Sequence, residues 1–545
     1  MKKYLGPILL VCILSLGSNA YGQAACPPSA FNGKLACILP ALYGSTSGSG
    51  GFSAQGAFGN LNHVGHFDAS IAQTLSPLNG DISRQINLLP TASPGSGFSL
   101  MFDPALKTFV TTTDSLGPII GERADTIGRH RIAVGVSYQF FQFDKINGSH
   151  LANLPNVLIH ADDIIDNQPP NVICSASLTG NPDQSLASYS DNPPPGQPHN
   201  QNNLLGDCSY VRDRIATVNR IDLKVHQITT NVTFGLTRNI EVSVVIPYDM
   251  VRFGVSSSAT IVTGTWKATR HYFTSPGVCL DSNNSPPPPP FVAACFNHNF
   301  PDASLQGSSP SSSSASGIGD VTARLKATMW RGERAAFAAG VDVRFPTGEA
   351  LNYLGSGAYG VKPFAIISYH SRIAPHGMIG FEANGSSVTS GNVATGEKGQ
   401  IPNELVYDAG ADAYATKWLT GALDIVGQRV FNAQTVAVTS QKFLAPCMTN
   451  DFTVNPSPSE PLSCDVTVTG SQPNPNFTNV PALPPVSAPT LTSTSATSYN
   501  ITNASAGIKI APLGRLVLTL NVLVRLDNGG LHAKPAPMGG LSYVF

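Results

Sequence analysis

The chain ends in Met538–Phe545, where Leu541, Tyr543 and Phe545 alternate with Gly540, Ser542 and Val544. Alternation with period two marks a β-strand that presents one apolar face. The strand runs to an aromatic carboxyl-terminal residue, whereas soluble domains usually end in a solvated, poorly ordered tail. Taken alone, this stretch also fits an ordinary sandwich strand. The segments before it decide between the two.

From Arg129 onward the same period recurs. Arg131–Phe143 places Ile132, Val134, Val136, Tyr138 and Phe140 on one face and Arg131, Gly135, Ser137 and Gln139 on the other. In Arg220–Leu236 the apolar phase changes near Gln227, from odd Ile221, Leu223 and Val225 to even Ile228, Val232 and Phe234. A one-residue slip reverses every side chain, so this change predicts a bulge. Nine further segments follow: Ile240–Tyr248, Asp320–Trp330, Arg334–Phe345, Tyr359–His370, His376–Asn384, Glu404–Ala415, Trp418–Arg429, Ile501–Ile510 and Leu516–Leu526. With the terminal strand they make twelve, or fourteen if the short runs Phe98–Phe102 and Leu106–Val110 join the wall.

The connections alternate in length. Thr237–Asn239, Arg331–Glu333 and Thr416–Lys417 are tight, whereas about 145–218, 255–316 and 431–498 are long and rich in polar residues and proline. Strands of nine or more residues exceed the five or six usual in soluble sheets. Short turns on one side and long loops on the other are the habit of transmembrane barrels. A sheet in lipid must close, because its edge groups find no partners there. The expected fold is all-β, a transmembrane antiparallel β-barrel with both ends on the periplasmic side.

Composition agrees. Only 12% of the 545 residues are charged, about half the usual share. Yet no internal apolar run reaches the length of a membrane-spanning helix. The net charge of −1 gives no reason to expect a nucleic-acid partner. At the amino end, Lys2 and Lys3, the apolar run Ile8–Leu16 and the small residues Ser18–Ala20 form a secretory signal. Cleavage is expected after Ala20 or within the next few residues, to about 25. A lipoprotein site at Cys26 lacks the apolar residue required three positions earlier, where Gln23 stands. The expected organisation is signal peptide 1–20, amino-terminal periplasmic or plug region 21–128 and barrel 129–545. Ile71, Leu75, Leu78 and Ile82 predict a short helix over Asp68–Ile86.

Of nine cysteines, Cys12 leaves with the signal. The others form local pairs, Cys26/Cys37, Cys174/Cys208, Cys279/Cys295 and Cys447/Cys464, which in an exported chain predict four disulfides. No CxxC occurs and the pairs lie in separate segments, so zinc is not expected, nor is any other cofactor.

If the apolar faces meet lipid, the alternate residues line the lumen. These are Asp222, Lys224, His226, Asp320, Arg324, Lys326, Asp342, Arg344, Lys362, Glu382, Asp408, Asp412, Asp424, Lys509, Arg515, Asn521 and Arg525. Both signs occur, which argues against strong ion selectivity. Such a lining either braces the wall around a plug or forms a polar channel. No Ser/His/Asp spacing, HExxH or EF-hand pattern supports an enzyme. The Asp162–Asp163 pair beside His160 fits a solvated loop.

Several motifs carry a family resemblance. Gly317-Ile318-Gly319-Asp320 opens one strand, Arg344-Phe345-Pro346-Thr347-Gly348-Glu349 closes the next, and Leu354-Gly355-Ser356-Gly357 follows. Upstream, Leu116-Gly117-Pro118 precedes Glu122-Arg123-Ala124-Asp125-Thr126-Ile127-Gly128 and a strand ending Tyr138-Gln139. Together they resemble the outer-membrane family named after the phenol meta-degradation pathway, over about residues 90–430 and the last two strands. The terminal strand is similar to the closing strand of Gram-negative outer-membrane barrels, in which the final aromatics, here Tyr543 and Phe545, are the assembly signal. The resemblance implies an outer-membrane protein with outer-membrane lipid and the barrel assembly machinery as partners. It also implies a barrel that admits small, often aromatic or hydrophobic, solutes. The three long cysteine-bearing loops depart from the family pattern, and they suit an alternative role as a plugged structural or surface-interaction barrel.

Overall fold

The structure, a computed structural model, describes residues 26, 33–41, 70–91, 100–103, 108–111, 115–159, 214–262, 265–266, 304–306, 312–393, 395–416, 418–443, 447–448, 454–457, 460–466, 486–512 and 516–545. The expected signal peptide, Cys174, Cys208, Cys279, Cys295 and Arg515 lie outside these residues, as do the side chains of Cys447 and Cys464.

Twelve strands form one closed antiparallel wall: β1 Ile132–Ile146, β2 Arg214–Gly235, β3 Ile240–Val262, β4 Val321–Arg331, β5 Ala335–Phe345, β6 Gly360–Tyr369, β7 Ile373–Asn384, β8 Glu404–Thr416, β9 Leu419–Phe443, β10 Val486–Ile510, β11 Leu516–Arg525 and β12 Ala536–Val544. Each strand pairs with the next in the chain, and β12 returns to β1 through Leu541↔Val136 and Tyr543↔Val134. The short strand Ser312–Ile318 pairs with the upper part of β3. The runs Leu100–Asp103 and Thr108–Thr111 pair with each other and stay outside the wall, so the strand number is twelve and not fourteen.

The wall is inverted relative to a soluble protein. Leu325, Ile367, Ile379, Leu423 and Leu520 are exposed on its outer face, while Ser137, Asn231, Thr233, Ser243, Lys326 and Asp424 are buried on its inner face. Trp330, Tyr369, Trp418, Tyr543 and Phe545 stand exposed near the short-turn ends, and Tyr138, Tyr248, Tyr359 and Phe381 are exposed farther along the strands toward the other side. An apolar belt between two aromatic girdles is the lipid-facing surface of a membrane barrel.

Several strands outrun the membrane. β3 has 23 residues and β9 and β10 have 25 each, against roughly 9–11 needed to cross. They extend well into the stretches expected to be loops. The predicted bulge in β2 is absent: its register with β1 and β3 is unbroken. Odd residues of β2 face inward along its length. Ile221, Leu223 and Val225 are therefore inside, and Asp222, Lys224 and His226 face outward, contrary to the expected lumen position. The surroundings change there, not the backbone. Above the membrane, the inner face meets an apolar plug and the outer face meets water.

That plug is amino-terminal. The helix Ser70–Asn87 buries Leu78, Ile82 and Ile86 against Leu35, Ile38 and Leu39, against Leu223, Val225 and Phe253 of the wall, and against Val388 of the β7–β8 connection. Spacings of four place these helix residues on one face. The Cys26–Cys37 disulfide lies in the same apolar cluster, and Cys26 donates its backbone N–H to Val393 O. Of the four expected disulfides this is the one that falls on described side chains. Asn79 donates to Ala36 O and accepts from Tyr353 Oη, and Thr435 donates to Asp81 at 2.6 Å, so the helix is tied to the outer mouth by polar as well as apolar contacts.

The chain then reappears at the opposite end. Residues 115–128 run inside the wall at the short-turn side before turning into β1. Gly128 and His130 take positive φ (92° and 58°) at this corner, and His130 N–H donates to Gly235 O at 2.7 Å. A Cβ on Gly235 would lie 1.8 Å from Gly128 O, so only glycine lets the entering chain cross β2. Gly235→Ala should cost about 1–3 kcal/mol, as overpacking does. The check is a clear drop in the temperature at which the refolded barrel loses its compact gel mobility. An unchanged temperature contradicts the close crossing.

Candidate functional site

The lumen lies between these two amino-terminal pieces. At the short-turn end, residues 115–128 are held by charge. Glu122 bonds Arg324 and Lys326, the latter at 2.9 Å, and Lys326 also meets Glu241 at 2.8 Å. Arg123 meets Asp412 at 2.5 Å, and Ser115 donates to the same carboxylate. Asp125 accepts from His370 at 2.6 Å and lies 3.4 Å from Arg331. Lys509 donates to the carbonyls of Leu116 and Pro118. Backbone groups join in: Ile127 N–H to Glu241 at 2.8 Å, and Ala124 N–H to Ser368 Oγ at 3.2 Å. Gly121 approaches His376 so closely that a Cβ would sit 2.4 Å from Nε2.

The charged wall has two parts. On β4–β7, Arg324 forks onto Asp342 (2.6 and 2.8 Å), Lys362 meets Asp342 at 3.1 Å, and Arg344 meets Glu382 at 3.2 Å and Asp320 at 3.8 Å. Arg324 also lies 4.9 Å over the Phe364 ring. On β7–β9, His376 Nε2 meets Asp424 at 2.9 Å and its Nδ1 lies 3.7 Å from Asp412. Buried charges are costly to desolvate and persist here because nearly every one has a partner.

Between the helix end and residues 115–128 remains a cavity of about 220 Å³. Its roof is Ile86–Thr91, with Gln139 and Gln428 donating to the carbonyls of Pro90 and Leu88 at 2.8 and 3.2 Å. Its floor includes Ile120 and Glu122. Strands β4–β7 contribute Arg324, Asp342, Arg344, Lys362 and Glu382, and β7–β10 contribute Met378, Val406, Val426 and Ile501, interrupted by Asp408. The chamber is amphipathic. An apolar cavity of about 150 Å³ accepts benzene, so this one has room for a single ring with a short polar substituent.

Of the residues expected in the lumen, Asp320, Arg324, Lys326, Asp342, Arg344, Lys362, Glu382, Asp408, Asp412, Asp424, Lys509, Asn521 and Arg525 are on the inner side, buried or nearly so. Asn521 accepts from Ser505 Oγ, and Arg525 meets Asp527 at 2.7 Å near the outer mouth. Asp222 and Lys224 pair with each other at 2.9 Å outside, and His226 bonds Tyr138 Oη at 2.8 Å there. Sequence reasoning did not assign Glu122, Arg123, Asp125, Glu241, Asp249, His376 or Glu404 to the interior. The one available signal for the first three was a dense Glu-Arg-Ala-Asp cluster in a chain poor in charge. Among the described residues no group of His, Cys, Asp and Glu is placed to hold a metal ion.

Closed wall, lipid-facing belt and occupied polar lumen define a bacterial outer-membrane β-barrel. A family model described as "Putative MetA-pathway of phenol degradation" matches residues 291–422, which contain the Gly317–Asp320 and Arg344–Glu349 motifs but not those of residues 116–128. No curated protein matches. An outer membrane channel from Pseudomonas putida F1 superposes with a TM-score of 0.36 at 10% identity over 78% of this chain and 99% of that one. Salmonella typhi OmpF does so at 0.23 and 8% identity over 77% and 98%, and a Pseudomonas aeruginosa FadL homologue at 0.22 and 10% over 76% and 89%. The barrel assignment stands on the chain's own strand pairing.

The acids of residues 115–128 give a pH test. Burial opposes ionisation of Glu122, but Arg324 and Lys326 outweigh it and hold the carboxyl below its ordinary range. Burial is likewise overcome at Asp125 by His370 and Arg331. Folded-state values below unfolded ones stabilise docking fully above the ordinary carboxylate range, and that stability is lost as pH falls through the lowered values. Amide-exchange protection of residues 115–128, corrected for intrinsic rates, should hold from pH 8 to 5 and decline below about 4. Loosening as pH rises contradicts the ion-pair account.

Proposed function

We propose that the protein is a passive outer-membrane route for small amphipathic solutes, including single-ring aromatic ones, and that the central chamber is where they pause. The amphipathic chamber carries this reading: charged and apolar side chains together line a space the size of one substituted ring. Few ligands suit such a lining except those with both characters. The family model's wording, which names phenol degradation, supports the same size and polarity class. The residues above and below the chamber must shift for passage. The helix is held mainly by apolar packing, and residues 115–128 by ion pairs. The terminal aromatics Tyr543 and Phe545, packed edge-to-face at 4.7 Å on the outer face, are proposed as the assembly signal.

A second reading draws on the same filling. With apolar residues plugging the mouth and charges bracing the opposite end, the barrel would be structural and act through its outer loops. Liposome swelling separates the two. Mature protein refolded into liposomes should admit phenol-sized aromatic solutes several-fold faster than sugars of similar mass. Equal rates indicate a general pore. No swelling from protein shown to be folded favours the structural barrel.

A further inference from the structure

The chamber's charges do not balance. Among its lining side chains, carboxylates outnumber cations six to three. Each cation is committed: Arg324 to Glu122 and Asp342, Lys362 to Asp342, and Arg344 to Glu382 and Asp320. Asp249 has Gln227 as its hydrogen-bond donor at 2.9 Å. Asp408 carries the imbalance. It is 6% accessible, lines the chamber, and its Oδ1 has no hydrogen-bond partner. A buried acceptor without a donor costs about 1–3 kcal/mol, more for a charged one, so its persistence points to a group that arrives.

Register shows what surrounds it. Met378, Asp408, Val426 and Asn503 are direct partners across β7, β8, β9 and β10, all facing inward. The carboxylate therefore sits between two apolar side chains. Other charged groups act on it from a distance: His376, Asp424, Glu122 and Arg324. His376 is hydrogen-bonded to Asp424, and Arg324 is held by Glu122 and Asp342. On the adjoining strands β4–β6, Arg324, Asp342 and Lys362 form the contrasting row, in which charges alternate and neutralise one another.

An acceptor of negative charge flanked by apolar surface, in a space for one ring, matches a ligand with a cationic donor on a short apolar body. We propose that the chamber binds small organic ammonium ions, with the head on Asp408 and the body on Met378, Val406, Val426 and Ile501. The inference deepens the solute-route reading and names its preferred class, a cation preference that an evenly mixed lumen would not have. A charge-assisted hydrogen bond in a desolvated site is about twice as strong as a neutral one.

The test uses refolded full-length mature protein in neutral detergent, with calorimetric titration of 2-phenylethylammonium, 2-phenylethanol and phenylacetate at pH 7.5 against empty micelles. The ammonium should bind at least about tenfold tighter than either analogue. Asp408→Asn should remove that advantage, bringing the ammonium to the affinity of 2-phenylethanol measured on the same variant. Met378→Lys, which places a cation in register with Asp408, should also remove the ammonium advantage and covers the case in which Asp408→Asn does not fold. Equal binding of the three ligands, or an ammonium preference that survives either variant, overturns the inference. Liposome entry of the same ligands keeps the two readings apart. Entry without ammonium preference removes the inference and leaves the route, whereas ammonium binding without entry of any ligand removes the route and leaves the site.

Discussion

Everything in this structure follows from closing the sheet. In lipid, an unpaired strand edge leaves N–H and C=O groups without partners, so β12 must find β1. Once Leu541↔Val136 and Tyr543↔Val134 are paired, each strand has one face toward lipid and one toward the lumen. The apolar residues go out, and the polar ones have nowhere to go but in. A chain with few charges thus concentrates many of them within one narrow tube.

Those charges then need partners, and the wall supplies only some. Arg324, Asp342 and Lys362 answer one another across neighbouring strands. Lys326, Asp412 and Lys509 are satisfied partly by residues 115–128, through Glu122, Arg123 and the carbonyls of Leu116 and Pro118. The amino-terminal region is therefore part of the barrel's electrostatics, not an appendage. At the outer mouth the logic is different: strands that have left the membrane turn apolar inward and close over the helix Ser70–Asn87, as in a soluble core. The chamber is the gap between these two regimes, and its amphipathic lining reflects both.

How much was legible follows from the same physics. β4 and β5 stand out because both faces keep one environment along their length and the turn between them is tight. β2 misled because periodicity reports surroundings: Ile221, Leu223 and Val225 point the same way as Thr229, Asn231 and Thr233, but toward a plug and not toward a polar lumen. The upper parts of β3, β9 and β10 are rich in Ser and Thr and resemble loop, because neither face there meets lipid. The helix was visible from Leu78 and Ile82. Residues 115–128 were not, since they have no period and their partners lie far away, as Arg324 is 202 residues from Glu122. The isolation of Asp408 depends on register between three strands, which composition does not reveal.

The central claim is that residues 115–128 lie inside the wall, fastened to it. Ala124 and Ser368 are in hydrogen-bond contact, backbone N–H to hydroxyl at 3.2 Å, and both are buried. The double variant Ala124→Cys/Ser368→Cys, refolded and oxidised, tests the claim by peptide mapping in a mass spectrometer. The account predicts a peptide joining positions 124 and 368 within one chain, in high yield and only from folded protein. Two free thiols at these positions, open to a membrane-impermeant label in the folded barrel, would contradict it.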